Sequence, residues 1–505
     1  METGHCLQFR SDMPEYKKLE DQEPDVENAT CTVQNTAPVQ DAGEGQRPAA
    51  NQQAGQMVTV SLFMLLFLGS SYFQPRPRLH QYKGGRGHGL QEKFDCNIQL
   101  VESIPIGLTY PDGSPRFLST YEAWLKLLEG AKTSLDIASF YWTLKAEDTP
   151  GVSDNSTRPG EDVFSRLLAN GNGGSRSPRI KIRIAQSEPS SVSPNLNTKL
   201  LASAGAAEVV SISFPKYFGS GVLHTKLWVV DNQHFYLGSA NMDWRALTQV
   251  KEMGVLVQNC PRLTNDVAKI FGEYWYLGNS ESSRIPNWDW NYSTGYNLKQ
   301  PMQLRVNTNI TMEGFLSSSP PPLSASGRTN DLDAILNTIN SAITYVNIAV
   351  MDYYPLIIYE KNHHYWPFID DALRKAAVDR GVAVKLLISW WKHSNPSEDR
   401  YLRSLQDLAS KEDKIDIQIR RFIVPTDASQ EKIPFGRVNH NKYMVTDRVA
   451  YIGTSNWSGD YFTDTAGIGL VLSETLETES TNTLRSDLRN VFERDWNSKY
   501  ATPLG

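Results

Sequence analysis

Two imidazole and ammonium pairs set the chemistry open to this chain. The first reads His224-Thr-Lys226-Leu-Trp-Val-Val-Asp231 and, after six intervening residues, Gly238-Ser239-Ala-Asn241. The second reads His440-Asn-Lys442-Tyr-Met-Val-Thr-Asp447 and, after five, Gly453-Thr454-Ser455-Asn456. In an extended chain, alternation puts each His and its Lys on one side, so both can reach a single ligand. A phosphodiester resists nucleophiles because its oxygens are anionic; two ammonium groups offset that charge and stabilise the more anionic transition state. One His can attack phosphorus, while the other protonates the leaving oxygen and then deprotonates the incoming water. This chemistry needs neither a metal nor another cofactor. Asn241, Asn456 and the hydroxyls of Ser239 and Thr454 can bind phosphate oxygens without adding charge. A lone His-x-Lys arises often by chance, whereas two copies with matched Asp and Gly-[Ser/Thr]-x-Asn tails are specific.

Several other residues carry two readings. Asp231 and Asp447 can belong to the catalytic set or anchor the turn at a strand end through their own backbone. Glu252 follows His224 by 28 residues; a carboxylate accepting an imidazole N–H fixes the tautomer and raises basicity. The matching place in the second copy, near Gly467, holds no acid. If the halves pack about a twofold axis, Glu252 supports His440 as nucleophile and leaves His224 as acid; trapping the phosphorylated residue on His224 reverses that assignment. Lys251 reads as a solvated surface lysine, and His363, His364 and His393 read as surface or helix-terminal groups. Phe140, Tyr141, Trp142, Tyr353, Tyr354 and Trp366 could stack on bases, although core filling is the better reading.

The elements that position these groups also repeat. One half has short β-branched runs at 134–142 and 180–185 before its His motif, and the other has them at 345–351 and 382–388. Their nearly continuous apolar character suits strands buried on both faces. Between them, 121–129 and 368–377 show apolar residues three and four apart, as in amphipathic helices. The fold expected is α/β: two similar α/β/α sandwich halves related by pseudo-twofold symmetry, at 96–300 and 301–505. The proline-rich stretch at 317–323 is expected near their junction, where helix and central strand are disfavoured.

The 505 residues carry a net charge of -6, which excludes a whole surface acting as a polyanion-binding field. Four cysteines, Cys6, Cys31, Cys96 and Cys260, are too few for a disulfide framework and lack zinc-site spacing. Residues 1–56 read as a disordered tail. The uncharged run at 57–73, 17 residues long, reads as a short transmembrane anchor, followed by a stem at 74–95. The orientation signals conflict. Arg76, Arg78, Lys83, Arg86 and Lys93 follow the anchor while only Arg47 precedes it closely, which favours a cytosolic C-terminal part. Sequons at Asn155, Asn291 and Asn309 favour a glycosylated lumenal one.

These motifs resemble the phospholipase D superfamily, whose signature is His-x-Lys-x4-Asp twice per active site. The likeness is closest to its animal endolysosomal branch of membrane-anchored 5′-exonucleases. The residues that carry it are 100–105, 136–142, 221–226, 236–245, 437–445 and 451–458, and it covers 96 to about 500. The resemblance implies a phospholipase D fold, with His440 as phosphohistidine nucleophile and His224 as proton donor. Lys226, Lys442, Asn241 and Asn456 would bind the scissile phosphate. It further implies trimming of single-stranded DNA or RNA from a 5′-hydroxyl end, limiting nucleic-acid sensing, in a type II membrane protein whose tail is cytosolic. Its catalytic part would face the lumen of the endoplasmic reticulum, Golgi and lysosome, with possible release as a soluble lysosomal form. A homodimer is a further expectation, and Tyr16-Lys-Lys-Leu19 has the form of an adaptor-binding sorting signal. Relatives usually carry more lumenal cysteines; only Cys96 and Cys260 follow the anchor here, and they are expected to pair. Two alternatives keep part of this reading: a phospholipase D or lipid transphosphatidylase acting on phospholipids, and a non-catalytic membrane protein that binds nucleic acid.

Overall fold

The computed structural model describes residues 96–504, except 150, 153–154, 175–177, 308–309 and 475–482. The tail, the anchor, the stem, the tyrosine motif at 16–19 and Asn309 lie outside the described residues.

Two mixed sheets carry the described chain. The first runs Leu118–Ser119, Asn97–Ser103, Glu252–Gln258, His234–Gly238, Leu227–Val230, Ser134–Ser139, Lys181–Ser187, Glu208–Ile212. The second repeats that order with Ile310–Ser319, Gly467–Glu474, Val449–Gly453, Lys442–Thr446, Tyr345–Val350, Ala383–Ser389 and Ile417–Phe422, flanked by Met302–Val306 and Ala501–Pro503. In both, parallel strands form one flank and antiparallel strands the other.

The apolar runs of the sequence follow from burial on both sheet faces. One face of the first sheet packs against the helices Thr120–Gly130 and Arg158–Asn172, with Trp124 stacked on Trp228 at 4.9 Å between ring centroids. The opposite faces of the two sheets share a single core that takes in Val255, Phe271 and Tyr274 from one half and Leu316, Ile468 and Phe492 from the other. The helices in it are exchanged. Pro261–Asn279 from the first half touches the strand Ile310–Ser319 of the second, while Leu484–Trp496 from the second touches Asn97–Ser103 of the first. A disulfide between Cys96 and Cys260, Cα atoms 4.6 Å apart, ties the start of one of these strands to the start of one of these helices.

Two expectations need correction. Ser317–Ser319 form the end of an interior strand rather than a junction, pairing through Ser319↔Gly467. The prolines begin only after the last ladder pair, so no bond is lost to a missing N–H. Lys251 is not solvated: its side chain is fully buried, with Nζ 2.8 Å from Asp495 Oδ2. Arg494 joins Glu102 at 2.7 Å, and the Tyr110 hydroxyl donates to Asp495 at 2.5 Å. The acid that holds Lys251 comes from the exchanged helix, far away in sequence, which hides the partnership from local inspection.

Candidate active site

Each His-x-Lys segment leaves its own half and is fastened to the other. Leu223 bridges Ala466, and Lys251 bridges Asn439. The His224 amide donates to the Ala466 carbonyl at 3.0 Å, and the His440 amide to the Lys251 carbonyl at 2.8 Å. The side chains cross in the same way. His224 Nδ1 lies 2.9 Å from the Thr454 carbonyl oxygen, so it carries the proton and donates. His440 Nδ1 lies 2.9 and 3.1 Å from the two oxygens of Glu252. With Nδ1 engaged in both rings, Nε2 is the nitrogen that can meet a ligand among the described residues. Lys226 and Lys442 donate to the carbonyls of His224 and His440 at 2.6 and 2.9 Å, which fixes each ammonium beside its imidazole.

The twofold relation stops at Glu252. By register Glu252 pairs with Ser103, and its counterpart Gly467 pairs with Ser319. A Cβ at Gly467 would come within 2.1 Å of Ser455 Oγ and 3.0 Å of Ser319 Oγ, so no side chain fits there. His224 thus rests on a neutral carbonyl, and His440 on a carboxylate.

Ser239 and Thr454, expected to bind phosphate, are fully buried and occupied elsewhere. The Ser239 hydroxyl donates to Glu252 and accepts from the Met253 amide, and the Thr454 hydroxyl accepts from the Ile468 amide. Their work is to hold Glu252 and the strand beside it. Asp231 and Asp447 are likewise corrected away from the chemistry. They stand beyond the strands Leu227–Val230 and Lys442–Thr446, roughly 16 Å from the lysines at about 3.3 Å per residue. Asp231 accepts from the amides of Lys132, Thr133 and Ser134, and Asp447 from those of Ile343, Thr344 and Tyr345. Burial pushes both carboxyls up, but the Thr133 hydroxyl on Asp231 and the amides on both outweigh it and hold them below the usual range.

Asn241 and Asn456 flank the cluster, each buried with its carbonyl oxygen unpaired among the described residues. Asn456 donates to Asp352 at 2.8 Å and Asn241 to the Tyr141 hydroxyl at 3.4 Å. Asp352 was not foreseen, although aligning the two halves puts it opposite Tyr141 and would have singled it out. Burial pushes its carboxyl up to about 6 against the pull of Lys442 and Arg421. Among the aromatic candidates, Trp142, Tyr353, Tyr354 and Trp366 are buried core residues. Phe140 instead lies against His224, 5.5 Å between ring centroids. His363 and His364 are exposed, as are the sequon residues Asn155 and Asn291.

Burial sets the proton balance. It pushes Glu252 up to about 8 against the pull of Lys442, Ser239 and Lys226. His440 Nε2 keeps its lone pair when the ring's one proton sits on Nδ1 and is donated to an ionised Glu252; a protonated Glu252 donating to Nδ1 would put the ring proton on Nε2 instead. Burial, helped by Lys442 and Lys226, holds the His440 imidazole well below its usual value, so the ring stays neutral into acid. Burial also pushes Lys442 down to about 7, opposed by Glu252 and Asp352. The cationic form of Lys442 therefore dominates below about 7 and is lost above it. The kcat/KM profile is expected to fall on the alkaline side from about pH 7, with an acid limb below the ordinary imidazole value of about 6.5. Lys442→Arg, whose guanidinium keeps its proton, should move the alkaline limb upward; an unmoved limb would assign it to another group.

A family model described as PLD3/4, PLD-like domain matches residues 112–427. The chain belongs to this family. The human protein named 5′-3′ exonuclease PLD3 is 48% identical over 409 residues, 81% of each chain. Its Xenopus laevis counterpart is 48% identical over 406 residues, 80% of each. The mouse protein named 5′-3′ exonuclease PLD4 is 39% identical over 457 residues, 88% of each. In this PLD3/4-like chain the matched region holds His224, Lys226 and Glu252, and the exchanged His440 and Lys442 follow it.

Proposed function

We propose that this chain is a 5′-exonuclease that hydrolyses the phosphodiester bonds of single-stranded DNA and RNA through a covalent phosphohistidine on His440. The observation that carries the reading is the crossed support of the two imidazoles, His224 on Thr454 and His440 on Glu252, with both lysines alongside. Relatives named as 5′-3′ exonucleases, about half identical over four-fifths of the chain, supply the substrate class.

In the first step His440 Nε2 attacks phosphorus. The P–N bond forms as the bond to the leaving oxygen breaks, and His224 Nε2 gives that oxygen its proton. In the second step His224 takes a proton from water, the water oxygen attacks phosphorus, and the P–N electron pair returns to His440. Glu252 compensates the positive charge that develops on the His440 ring. His224 has only a neutral carbonyl behind its ring and no carboxylate to retain a positive charge there, which suits it to give up a proton. Lys226 and Lys442 neutralise the non-bridging oxygens. Repeated shortening requires the remaining strand to present the end it began with. Cleavage at the 5′-oxygen does this, releasing a nucleoside 3′-phosphate and leaving a new 5′-hydroxyl.

The catalytic part belongs, in this reading, to the endolysosomal lumen, where such trimming limits nucleic-acid sensing. The disulfide and the exposed Asn155 and Asn291 sequons support that side of the membrane. Oligonucleotides with each end blocked in turn, digested at acidic pH in chelator, test the reaction. Blocking the 5′ end should stop shortening and blocking the 3′ end should not. Loss of nucleotides from the 3′ end would refute the polarity, and turnover of phospholipid with none of oligonucleotide would favour the lipid alternative.

A further inference from the structure

We infer that Trp391, His393 and Phe435 form a stacking platform that takes a nucleobase of the single-stranded substrate beside the phosphate site. The inference rests on the exonuclease reading for its ligand and on separate geometry for its place.

The strand Ala383–Ser389 ends with Ser389, whose hydroxyl accepts from the Asn439 amide at 3.2 Å. The loop after Ser389 and the loop that delivers His440 therefore leave the sheet side by side, at the end where Val350 pairs with Lys442. One loop carries Trp391 and His393, and the other carries Phe435. Trp391 meets His393 edge-on at 4.8 Å between ring centroids, and His393 stacks on Phe435 at 4.9 Å with an interplanar angle of 20°. Phe435 is 45% exposed although it lies five residues before His440.

Its backbone is the second observation. Phe435 has φ 54° and Arg437 φ 60°, in the left-handed region that bulky side chains avoid. The turn is held by designated partners. Arg245 donates to the Pro434 carbonyl at 2.5 Å, and Arg437 donates to the Gln249 side chain at 3.0 Å and to the Pro425 carbonyl at 3.1 Å. Arg245 is paired with Asp243, which accepts from Tyr141, the neighbour of Asn241. The framework that fixes the phosphate side of the cleft thus also presents an exposed ring in a strained conformation, as functional sites do.

The first half has no equivalent. The residues after its matching strand Lys181–Ser187 read Glu188-Pro-Ser-Ser-Val192, without an aromatic side chain. A flat ring on one side only suits a strand that lies with its bases to that side. Stacking also tolerates any base, which fits an exonuclease that must accept every sequence.

The test is direct binding to the full chain carrying His440→Ala, which prevents turnover. Two labelled oligonucleotides are compared, one with bases throughout and one abasic over its first three nucleotides. The base-bearing strand should bind on the order of tenfold tighter. Phe435→Asn, which removes the ring and tolerates the left-handed backbone, should bring that ratio close to one. Phe435→Tyr should preserve it. A ratio unchanged in Phe435→Asn overturns the platform, as does the absence of any base dependence before that substitution. The two readings separate through the chain with His440 intact: shortening of the oligonucleotide with an unresponsive ratio sinks the platform alone, and a responsive ratio without shortening sinks the exonuclease reading alone.

Discussion

His440→Ala is expected to lower kcat on an oligonucleotide by about 10⁴-fold or more, because the proposed mechanism draws its attacking lone pair from this ring. His224→Ala should cost about 10²- to 10⁴-fold on the same substrate, the usual worth of a general acid. The two variants separate on a phosphodiester with a p-nitrophenolate leaving group, which departs without a proton. The first step should then recover substantially in His224→Ala and remain absent in His440→Ala. The burst of p-nitrophenolate reads this, since the second step still lacks its base. A burst retained by His440→Ala and lost by His224→Ala would exchange the two roles.

Lys251→Met is expected to destabilise the fold by about 3–5 kcal/mol, the cost of breaking a buried ion pair from one side. Asp495 is fully buried; burial pushes its carboxyl up, and Lys251 and Arg494 outweigh that and hold it below the usual range. A carboxyl depressed in the folded state contributes stability above its unfolded value, and that contribution is lost as pH falls through the folded one. The substitution should therefore cost most near neutrality and less in acid. Pairing it with Asp495→Leu should restore much of the loss, since an apolar pair of similar volume needs no compensating charge. Urea midpoints of the two variants at neutral and acidic pH measure both effects. A double variant no more stable than the single one would mean that Asp495 is held by Arg494 and Tyr110 without need of Lys251.

The meeting of the two motifs was legible in the sequence because the pattern is written twice. The strand runs at 134–139 and 345–350 and both His-x-Lys motifs recur in one order, so two sheets and a shared cleft follow. The asymmetry was legible too, since Glu252 has only Gly467 opposite it. What escaped was whatever depends on the other half. Lys251 looked like any surface lysine because Asp495 arrives on an exchanged helix. Ser239 and Thr454 looked like phosphate ligands because their motif recurs, whereas each closes a bond to the neighbouring strand. Phe435 and His393 lie 42 residues apart and meet only when two loops leave the sheet together.

The solitary carboxylate behind one imidazole has a consequence for direction of travel. A cleft with true rotational symmetry would accept a strand threaded either way, and each orientation would be cut. On the proposed assignment, a strand entering backwards would offer its departing oxygen to His440, whose carboxylate partner retains the proton, and its phosphorus to His224, which has only a carbonyl behind it. On that proposal, the absence of a carboxylate at Gly467 is what gives a duplicated fold a direction.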